Sequence, residues 1–167
     1  MEKERKKELL GYLGYFAVFL VISLGLALFR GADHEKVTIP DKYIYADGSP
    51  VESGLLQGKK TVVYYWATWC TVCNANLPLV KFYASFFPAG NIQFVSIEEG
   101  ADYGKLTRYL AENDIRFPVI VGDEMLVDEW KVQGFPSFYF VNTSGEVEYV
   151  DAGIVNPFSF MLRLLLL

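Results

Sequence analysis

The sequence predicts an α/β domain in which a sheet of mixed direction carries helices on both faces. Short β-branched and aromatic runs alternate with longer stretches of helical periodicity, an order typical of strands joined by crossing helices. A turn signal at residues 142–145, Asn-Thr-Ser-Gly, then separates two short strand-like runs and predicts an antiparallel hairpin. The length of 167 residues is that of one domain.

The first half of this domain supplies a leading strand, a central strand and a long helix. Residues 42–46 precede an Asp-Gly pair, which tolerates the positive φ of a tight turn. Residues 61–66 are apolar or β-branched without alternation, as expected of a strand buried on both faces. Residues 72–87 carry apolar side chains three and four apart and predict a helix with a kink near Pro78.

Later segments complete the sheet and its covering helices. Further strands are predicted at residues 91–97, 118–121, 137–141 and 146–150. Helices are predicted at residues 103–113 and 157–167. The second of these is too short to span a bilayer, so we expect it to pack on the sheet.

Composition and charge exclude several classes of protein. With 52% hydrophobic residues the chain is too apolar to be disordered, and two cysteines are too few for a disulfide scaffold. The net charge is −5; residues 1–30 hold five Lys or Arg and three Asp or Glu, which leaves ten against 17, or −7, in residues 31–167. That acidic remainder has no basic stripe, so we expect no nucleic acid partner.

A stretch of 21 residues without a charged side chain, residues 9–29, predicts a membrane anchor. A helix of that length can cross a hydrocarbon core about 30 Å thick. The chain then divides into a cytoplasmic tip (1–8), a single-pass anchor (9–29), a linker (30–40) and an exported domain (41–167). A cleaved signal peptide is the alternative, although its apolar region would be shorter, about 7–15 residues.

Basic residues before the anchor predict its orientation. Lys3, Arg5, Lys6 and Lys7 lie in the tip, and Lys and Arg mark the cytoplasmic end of a span. The N-terminus is therefore expected inside and the acidic domain outside. Outside the cytoplasm, disulfides persist.

Cys70 and Cys73 are the only cysteines, and they lie three residues apart between the predicted central strand and the following helix. At a helix N-terminus, unpaired N–H groups and the helix dipole favour a thiolate. Cys70 at the outer end can attack a disulfide, and Cys73 one turn later can resolve the product. We therefore predict a redox-active pair.

Two other interpretations of the cysteine pair are weaker. A static disulfide across so short a loop gains little entropy. A structural zinc site needs four Cys or His ligands, and His34 in the linker is the only histidine. We expect neither a metal nor a cofactor beyond the Cys70–Cys73 disulfide.

Several segments together resemble a known family. Residues 66–73, Trp-Ala-Thr-Trp-Cys-Thr-Val-Cys, are followed by Pro78, and residues 134–137, Gly-Phe-Pro-Ser, precede a predicted strand. With Asp47-Gly48, Gly58-Lys59 and Phe117-Pro118, this pattern resembles the TlpA/ResA (DsbE/CcmG-like) group of membrane-anchored thiol–disulfide oxidoreductases, over most of residues 37–153. The resemblance implies a thioredoxin fold.

The resemblance also implies roles for individual residues. Cys70 is the expected nucleophile and Cys73 the resolving thiol. Pro136 is expected to be a cis-proline facing the disulfide, with Phe135 presenting backbone to a substrate and Trp69 flanking the site.

The chain departs from the family at positions that tune the thiols. Tyr64 and Asn76 stand where relatives carry a buried Asp or Glu, and neither titrates as a carboxylate. Thr71 and Val72 replace a dipeptide that commonly contains proline. Asn76, Thr71 and Val72 are therefore candidates for thiol tuning, with a helix-surface amide as the alternative for Asn76.

Acidic residues elsewhere are expected to be solvated. Glu98 and Glu99, at the end of a predicted strand, are interpreted as part of a solvated loop, with an approach of this acidic pair to the cysteine site as the alternative. An acidic run before Trp130 is likewise interpreted as soluble surface.

The expected function is exchange of dithiol and disulfide with cysteines of exported proteins. The resemblance implies a bacterial inner-membrane enzyme whose catalytic domain is periplasmic or extracytoplasmic. It also implies reduction of the heme-site cysteines of apocytochrome c, with electrons from an integral-membrane thiol carrier. Three alternatives stay open: an oxidant that donates its disulfide, a Cu(I)-binding assembly chaperone, and an interaction protein with a vestigial site.

Overall fold

The structure, a computed structural model, describes residues 11–19, 21–22, 25, 35–86, 92–100, 102–154 and 156–167. The chain divides into two compact units, Met1–Gly31 and Ala32–Leu167. In the first unit, residues 11–19 are helical. Within the described residues no helix has both the length and the apolar character needed to cross a membrane. The predicted tip (1–8) and much of the predicted anchor (9–29) lie outside the described residues.

The second unit alternates strands and helices. In chain order its elements are β1 (Lys60–Trp66), α1 (Thr71–Ala84), β2 (Ile92–Glu99), α2 (Tyr103–Glu112), β3 (Val119–Gly122), α3 (Glu124–Glu129), β4 (Ser137–Val141), β5 (Val147–Ala152) and α4 (Pro157–Leu166). Every strand predicted from residue 61 onward and every predicted helix is present, with ends shifted by a few residues.

The sheet has five strands in the order β3-β2-β1-β4-β5. Strand β1 lies at the centre, parallel to β2 and antiparallel to β4. Strand β3 extends the parallel side and β5 the antiparallel side. The predicted mixed direction is confirmed, and the central position of β1 explains why its sequence shows no polar alternation.

One face of the sheet packs against α1, α2 and α4. Strand side chains alternate between faces, so Val62, Tyr64 and Trp66 of β1 point to this side. They belong to what we call the α1-side core, which also contains Cys70, Cys73, Val80, Tyr83, Phe94, Leu106, Phe138 and Phe160. The cysteine pair therefore lies at the margin of a large aromatic core.

The other face of the sheet forms a second core. Val63 and Tyr65 of β1 point to it, and α3 covers it with Leu126 and the adjoining Trp130. Helix α3 was not predicted, because its acidic residues were interpreted as soluble surface. Asp123 begins it as N-cap, with a carboxylate oxygen that accepts the Leu126 N–H at 2.9 Å.

The segment before β1 belongs to the fold. Val37 and Ile39, placed in the linker by the sequence analysis, are buried in the second core. The predicted strand at residues 42–46 is reduced to isolated bridges, one of them between Tyr45 and Ile120 of β3. Folded structure therefore begins before residue 41.

Helix α4 packs on the sheet as predicted. The ring of Phe160 stacks on Tyr83 of α1 at a centroid distance of 4.4 Å. The guanidinium of Arg163 is also buried, and it donates to the Asp151 carboxylate of β5 at 2.9 Å. An apolar anchor and a paired buried charge thus fix this helix.

Candidate active site

Cys70 and Cys73 lie just beyond the carboxyl end of β1 and form a disulfide, with Cα atoms 5.2 Å apart. Cys70 is the N-cap of α1, and its sulfur accepts the Cys73 N–H at 3.1 Å. That N–H is one of the donors that a helix N-terminus leaves without an intrahelical partner. The same group would stabilise a thiolate on Cys70 after reduction.

Both cysteines are largely buried, with Cys70 6% and Cys73 2% exposed, while the preceding Trp69 is 64% exposed. Cys70 is the N-cap of α1, and Cys73 lies within the helix. The division into an attacking Cys70 and a resolving Cys73 stays a prediction.

Trp69 forms an aromatic wall beside the disulfide. Its ring lies edge-on to Phe135, with centroids 5.8 Å apart. On its other side, a Cβ built on Gly100 would approach the indole Nε1 to 3.4 Å. Gly100 has a φ of +86°, so glycine serves there both for its backbone conformation and for the space it leaves. The large exposed ring of Trp69 is therefore held from two sides.

The loop that carries Pro136 is tied to α1 through β5. The Phe135–Pro136 peptide bond is cis, as the resemblance implies. The Pro136 carbonyl accepts the Gly153 N–H at 2.8 Å, and the Gly153 carbonyl accepts the side-chain amide of Asn76 at 3.3 Å. Gly153 was not singled out from the sequence; it joins the two predicted site residues.

Asn76 and Tyr64, which replace the acids of relatives, are both buried. Asn76 is thus not the helix-surface amide considered as an alternative. Burial raises the pKa of Tyr64 far above its ordinary value, and within the described residues its hydroxyl has no hydrogen-bond partner. Neither side chain can take a proton from Cys73 near neutral pH. Thr71 and Val72 are exposed between the cysteines.

Glu98 is the residue that the sequence analysis misplaced. It is 0% exposed, and a carboxylate oxygen accepts the Thr68 N–H at 2.9 Å. For Glu99, the interpretation as a solvated loop is only partly correct, because the side chain is half-buried. Burial raises the pKa of its carboxyl group. Alternation along β2 places Phe94, Ser96 and Glu98 on one face, but a glutamate at a strand end is usually solvated, so the sequence alone did not indicate the burial of Glu98.

Tyr109 and Asn74 also lie near the cysteines without having been predicted. The Tyr109 hydroxyl of α2 donates to the Asn74 side-chain oxygen, directly after Cys73. The Tyr109 ring packs on Trp66 with centroids 5.7 Å apart. Its pKa is raised by burial and, to a smaller degree, by the charge of Glu98. Helices α1 and α2 are therefore joined beside the redox pair.

Side chains that could bind a metal are not clustered in the described part of the chain. There, no group of three or more His, Cys, Asp or Glu side chains is arranged to hold an ion. His34 lies outside the described residues. The donor set at the site is thus the sulfur pair itself.

The arrangement supports one kind of chemistry. A disulfide between residues three apart, at the start of a helix and beside a cis-proline loop, can exchange with cysteines of another protein. Fold and site together define a thiol–disulfide oxidoreductase with a redox-active disulfide.

Comparison with known proteins agrees with this class. The chain matches the Redoxin family over residues 34–163 and belongs to it. It is 25% identical to the thiol-disulfide oxidoreductase ResA of Bacillus subtilis over 145 residues, which are 86% of this chain and 77% of ResA. It is 27% identical to the soluble secreted antigen MPT53 of Mycobacterium tuberculosis over 136 residues, covering 81% of this chain and 78% of MPT53.

Solved structures show the same fold. A secreted disulfide oxidoreductase of Mycobacterium tuberculosis, described as homologous to Escherichia coli DsbE, superposes with a TM-score of 0.62 at 24% identity over 75% of this chain and 94% of the other. A thiol:disulfide interchange protein of Chlorobium tepidum gives 0.64 at 23% identity over 81% and 98%. The predicted thioredoxin fold is confirmed, and the chain is an oxidoreductase of the ResA/DsbE type.

Replacing Trp69 by alanine should weaken the reaction with protein substrates and spare the chemistry. The exposed ring supplies contact area, and its loss should lower kcat/KM for insulin reduction about tenfold. Reduction of the Cys70–Cys73 disulfide by dithiothreitol should be unchanged, because that small thiol needs no protein contact. Stopped-flow tryptophan or tyrosine fluorescence follows both reactions.

The matched control is Phe86→Ala. Phe86 is 60% exposed, close to the 64% of Trp69, and it lies just after the C-terminal end of α1. This variant should leave both rates unchanged. An equal loss with insulin and dithiothreitol for Trp69→Ala would show that the ring only supports the loop.

Proposed function

We propose that this chain is a membrane-tethered reductant of disulfides in exported proteins, with the heme-site cysteines of apocytochrome c as its substrate. The observation that carries the proposal is the Cys70–Cys73 disulfide at the N-terminus of α1, preceded by the exposed Trp69, whose ring packs on Phe135. The exposed indole offers a contact surface to another protein. The ResA-type resemblance supports the reducing direction and the substrate class.

Reduction of a substrate disulfide takes two exchanges. The Cys70 thiolate attacks one substrate sulfur, so that a mixed disulfide forms and the other substrate sulfur leaves as a thiolate that takes a proton. Cys73 loses its proton, attacks the Cys70 sulfur and releases the second substrate sulfur. Two electrons pass to the substrate, and the chain is left with its disulfide. An integral-membrane dithiol carrier would then reduce that disulfide by the same two exchanges.

The helix N-terminus contributes to the first exchange. In the reduced protein, the Cys73 N–H that bonds the Cys70 sulfur favours Cys70 as the thiolate of the pair. When Cys73 attacks the Cys70 sulfur, the group that leaves is the substrate thiolate, so the rate of this second exchange depends on the pKa of the substrate thiol. Because neither Tyr64 nor Asn76 can accept a proton at neutral pH, water or the departing substrate thiolate accepts the proton of Cys73.

The proposals of a membrane tether and of an extracytoplasmic domain are based on the amino-acid sequence. Residues 9–29 carry no charge and follow a basic tip. A similar protein of Mycobacterium tuberculosis, MPT53, is described as secreted, which supports an extracytoplasmic domain for this chain as well. We place the anchor in the bacterial inner membrane with the N-terminus inside.

The reducing direction is tested by equilibration with glutathione buffers. A reduction potential near or below the value of thioredoxin, about −270 mV, is expected for a reductant. A value near that of DsbA, about −120 mV, would contradict the proposal and identify an oxidant. Quantifying both redox forms after thiol alkylation gives the potential directly.

Membrane attachment is tested on the full chain made in bacteria. After alkaline carbonate extraction, the protein should stay with the membranes, and external protease should reach it in spheroplasts. A variant lacking residues 9–29 but supplied with a cleavable signal peptide should appear in the soluble periplasmic fraction. Release of the full chain by carbonate would contradict the tether.

A further inference from the structure

Glu98 has no role in the exchange steps described above, although it lies close to the cysteine pair in the fold. It lies at the carboxyl end of β2, directly beside Trp66 of β1 in the parallel register. Val95 and Ile97 of the same strand belong to the second core, and Phe94 belongs to the α1-side core. By alternation, the Glu98 side chain points to the face that carries the cysteines.

The carboxylate holds the turn from which Cys70 projects. One of its oxygens accepts the Thr68 N–H at 2.9 Å, and Thr68 lies between the end of β1 and Cys70. The same turn is closed by a hydrogen bond from the Cys70 N–H to the Ala67 carbonyl at 3.1 Å. The N–H that Glu98 accepts therefore belongs to a residue two positions before the nucleophile in the chain.

The surroundings of Glu98 are apolar and hold few titratable groups. The pKa of Tyr109 of α2 is raised by burial and, to a smaller degree, by the charge of Glu98. The pKa of Tyr64 of β1 is raised by burial and, to a smaller degree, by Tyr109. From α1 and its N-cap, the titratable side chains of this core are Cys70, Cys73 and Tyr83. Glu99 points to the opposite face, where the charge of Glu124 acts on it. In such an interior, a carboxylate charge is weakly screened.

We propose that Glu98 is a positioning residue that fixes the Cys70 turn through the Thr68 N–H and whose negative charge makes the reduced pair a stronger reductant. The inference rests on the redox role of Cys70 and Cys73. A negative charge near the pair opposes formation of a thiolate. A less stable thiolate makes the dithiol form less stable at neutral pH, so that electrons leave it more readily.

Tyr64 and Asn76 cannot supply this charge. Both side chains are uncharged at neutral pH. Glu98 supplies a carboxylate to the same face from the neighbouring strand. The negative charge on this face of the sheet is therefore carried by β2 and not by β1 or α1.

The test compares Glu98→Gln with Glu99→Gln. Glutamine keeps an oxygen to accept the Thr68 N–H and removes the charge. The glutathione equilibrium of Glu98→Gln should shift about tenfold toward the dithiol, which is about 30 mV. In a Cys73→Ser background, the pH at which Cys70 ionises, followed by thiolate absorbance, should fall by about one unit. The control changes a neighbouring carboxylate on the other face and should alter neither quantity.

Each outcome is decisive. Unchanged equilibrium and ionisation in Glu98→Gln would overturn the inference and leave Glu98 as a purely structural acceptor. If the unsubstituted protein failed to exchange with glutathione at all, the proposed function would fail instead. Should Glu98→Gln not fold, ¹³C NMR of the labelled Glu98 carboxyl in the oxidised and reduced protein serves in its place. If the two charges interact, the pKa of the Glu98 carboxyl must be higher in the reduced protein, where Cys70 can be a thiolate, than in the oxidised protein. The same carboxyl pKa in both proteins would refute the proposal.

Discussion

Cys70→Ser should abolish disulfide exchange, whereas Cys73→Ala should leave a protein that captures its partner covalently. Cys70 is the N-cap of α1 and has the helix N–H that stabilises its thiolate. Without that nucleophile, insulin reduction should fall by about a thousandfold or more. Without Cys73 the first exchange still occurs, and the mixed disulfide on Cys70 has no internal thiol to resolve it.

The trapped species identifies the partner. The chain has no cysteine besides these two, so any disulfide-linked adduct of Cys73→Ala must involve Cys70. Non-reducing electrophoresis and mass spectrometry of membranes from cells making this variant should show an adduct that is lost in the Cys70→Ser/Cys73→Ala double variant. Full insulin reduction by Cys73→Ala would contradict the two-cysteine mechanism. An adduct of Cys70→Ser through Cys73 would reverse the assignment of the two roles.

Phe160→Ala should cause the largest loss of stability. Its ring is 1% exposed and contacts Tyr83, Phe138 and Phe140, which come from α1 and β4. Emptying such a site removes apolar contacts and leaves a cavity, at a cost of about 3–5 kcal/mol. Tm should therefore fall by roughly 10 °C or more. Thermal unfolding followed by circular dichroism measures the change.

The same helix offers a matched control. Phe158 is 88% exposed, so Phe158→Ala removes the same ring from α4 and should change the free energy of unfolding by about 0.5 kcal/mol or less. Equal losses for the two variants would show that α4 does not pack on the sheet in solution. Because the ring of Phe160 packs on the rings of Tyr83, Phe138 and Phe140, the redox potential of folded Phe160→Ala should match that of the unsubstituted protein.

Local sequence patterns predicted the parts of the fold that depend on neighbouring residues. The run at residues 61–66 specifies a strand buried on both faces, and the turn at residues 142–145 specifies a hairpin. Cys70 and Cys73 were predicted for the same reason: their spacing places both thiols at one helix start. The cis-proline required the resemblance, since a proline in a turn does not reveal its isomer.

Features that depend on packing were beyond the sequence. A glutamate at a strand end is usually solvated, and only the neighbouring strand and the Thr68 N–H make a buried place for Glu98. Val37 and Ile39 lie in a short polar stretch whose partners are far along the chain, so they were assigned to a linker. Helix α3 is short and acidic, and its buried contact through Leu126 appears only once the sheet is formed.

The segment around Tyr45 has a consequence for the outer edge of the sheet. Val121 of β3 donates its N–H to the Ile44 carbonyl, and the Val119 carbonyl accepts the Ala46 N–H. An uncovered outer strand is a template on which other chains add and aggregate. Here that edge is already occupied by the protein's own backbone, which protects the folded domain from edge-to-edge association.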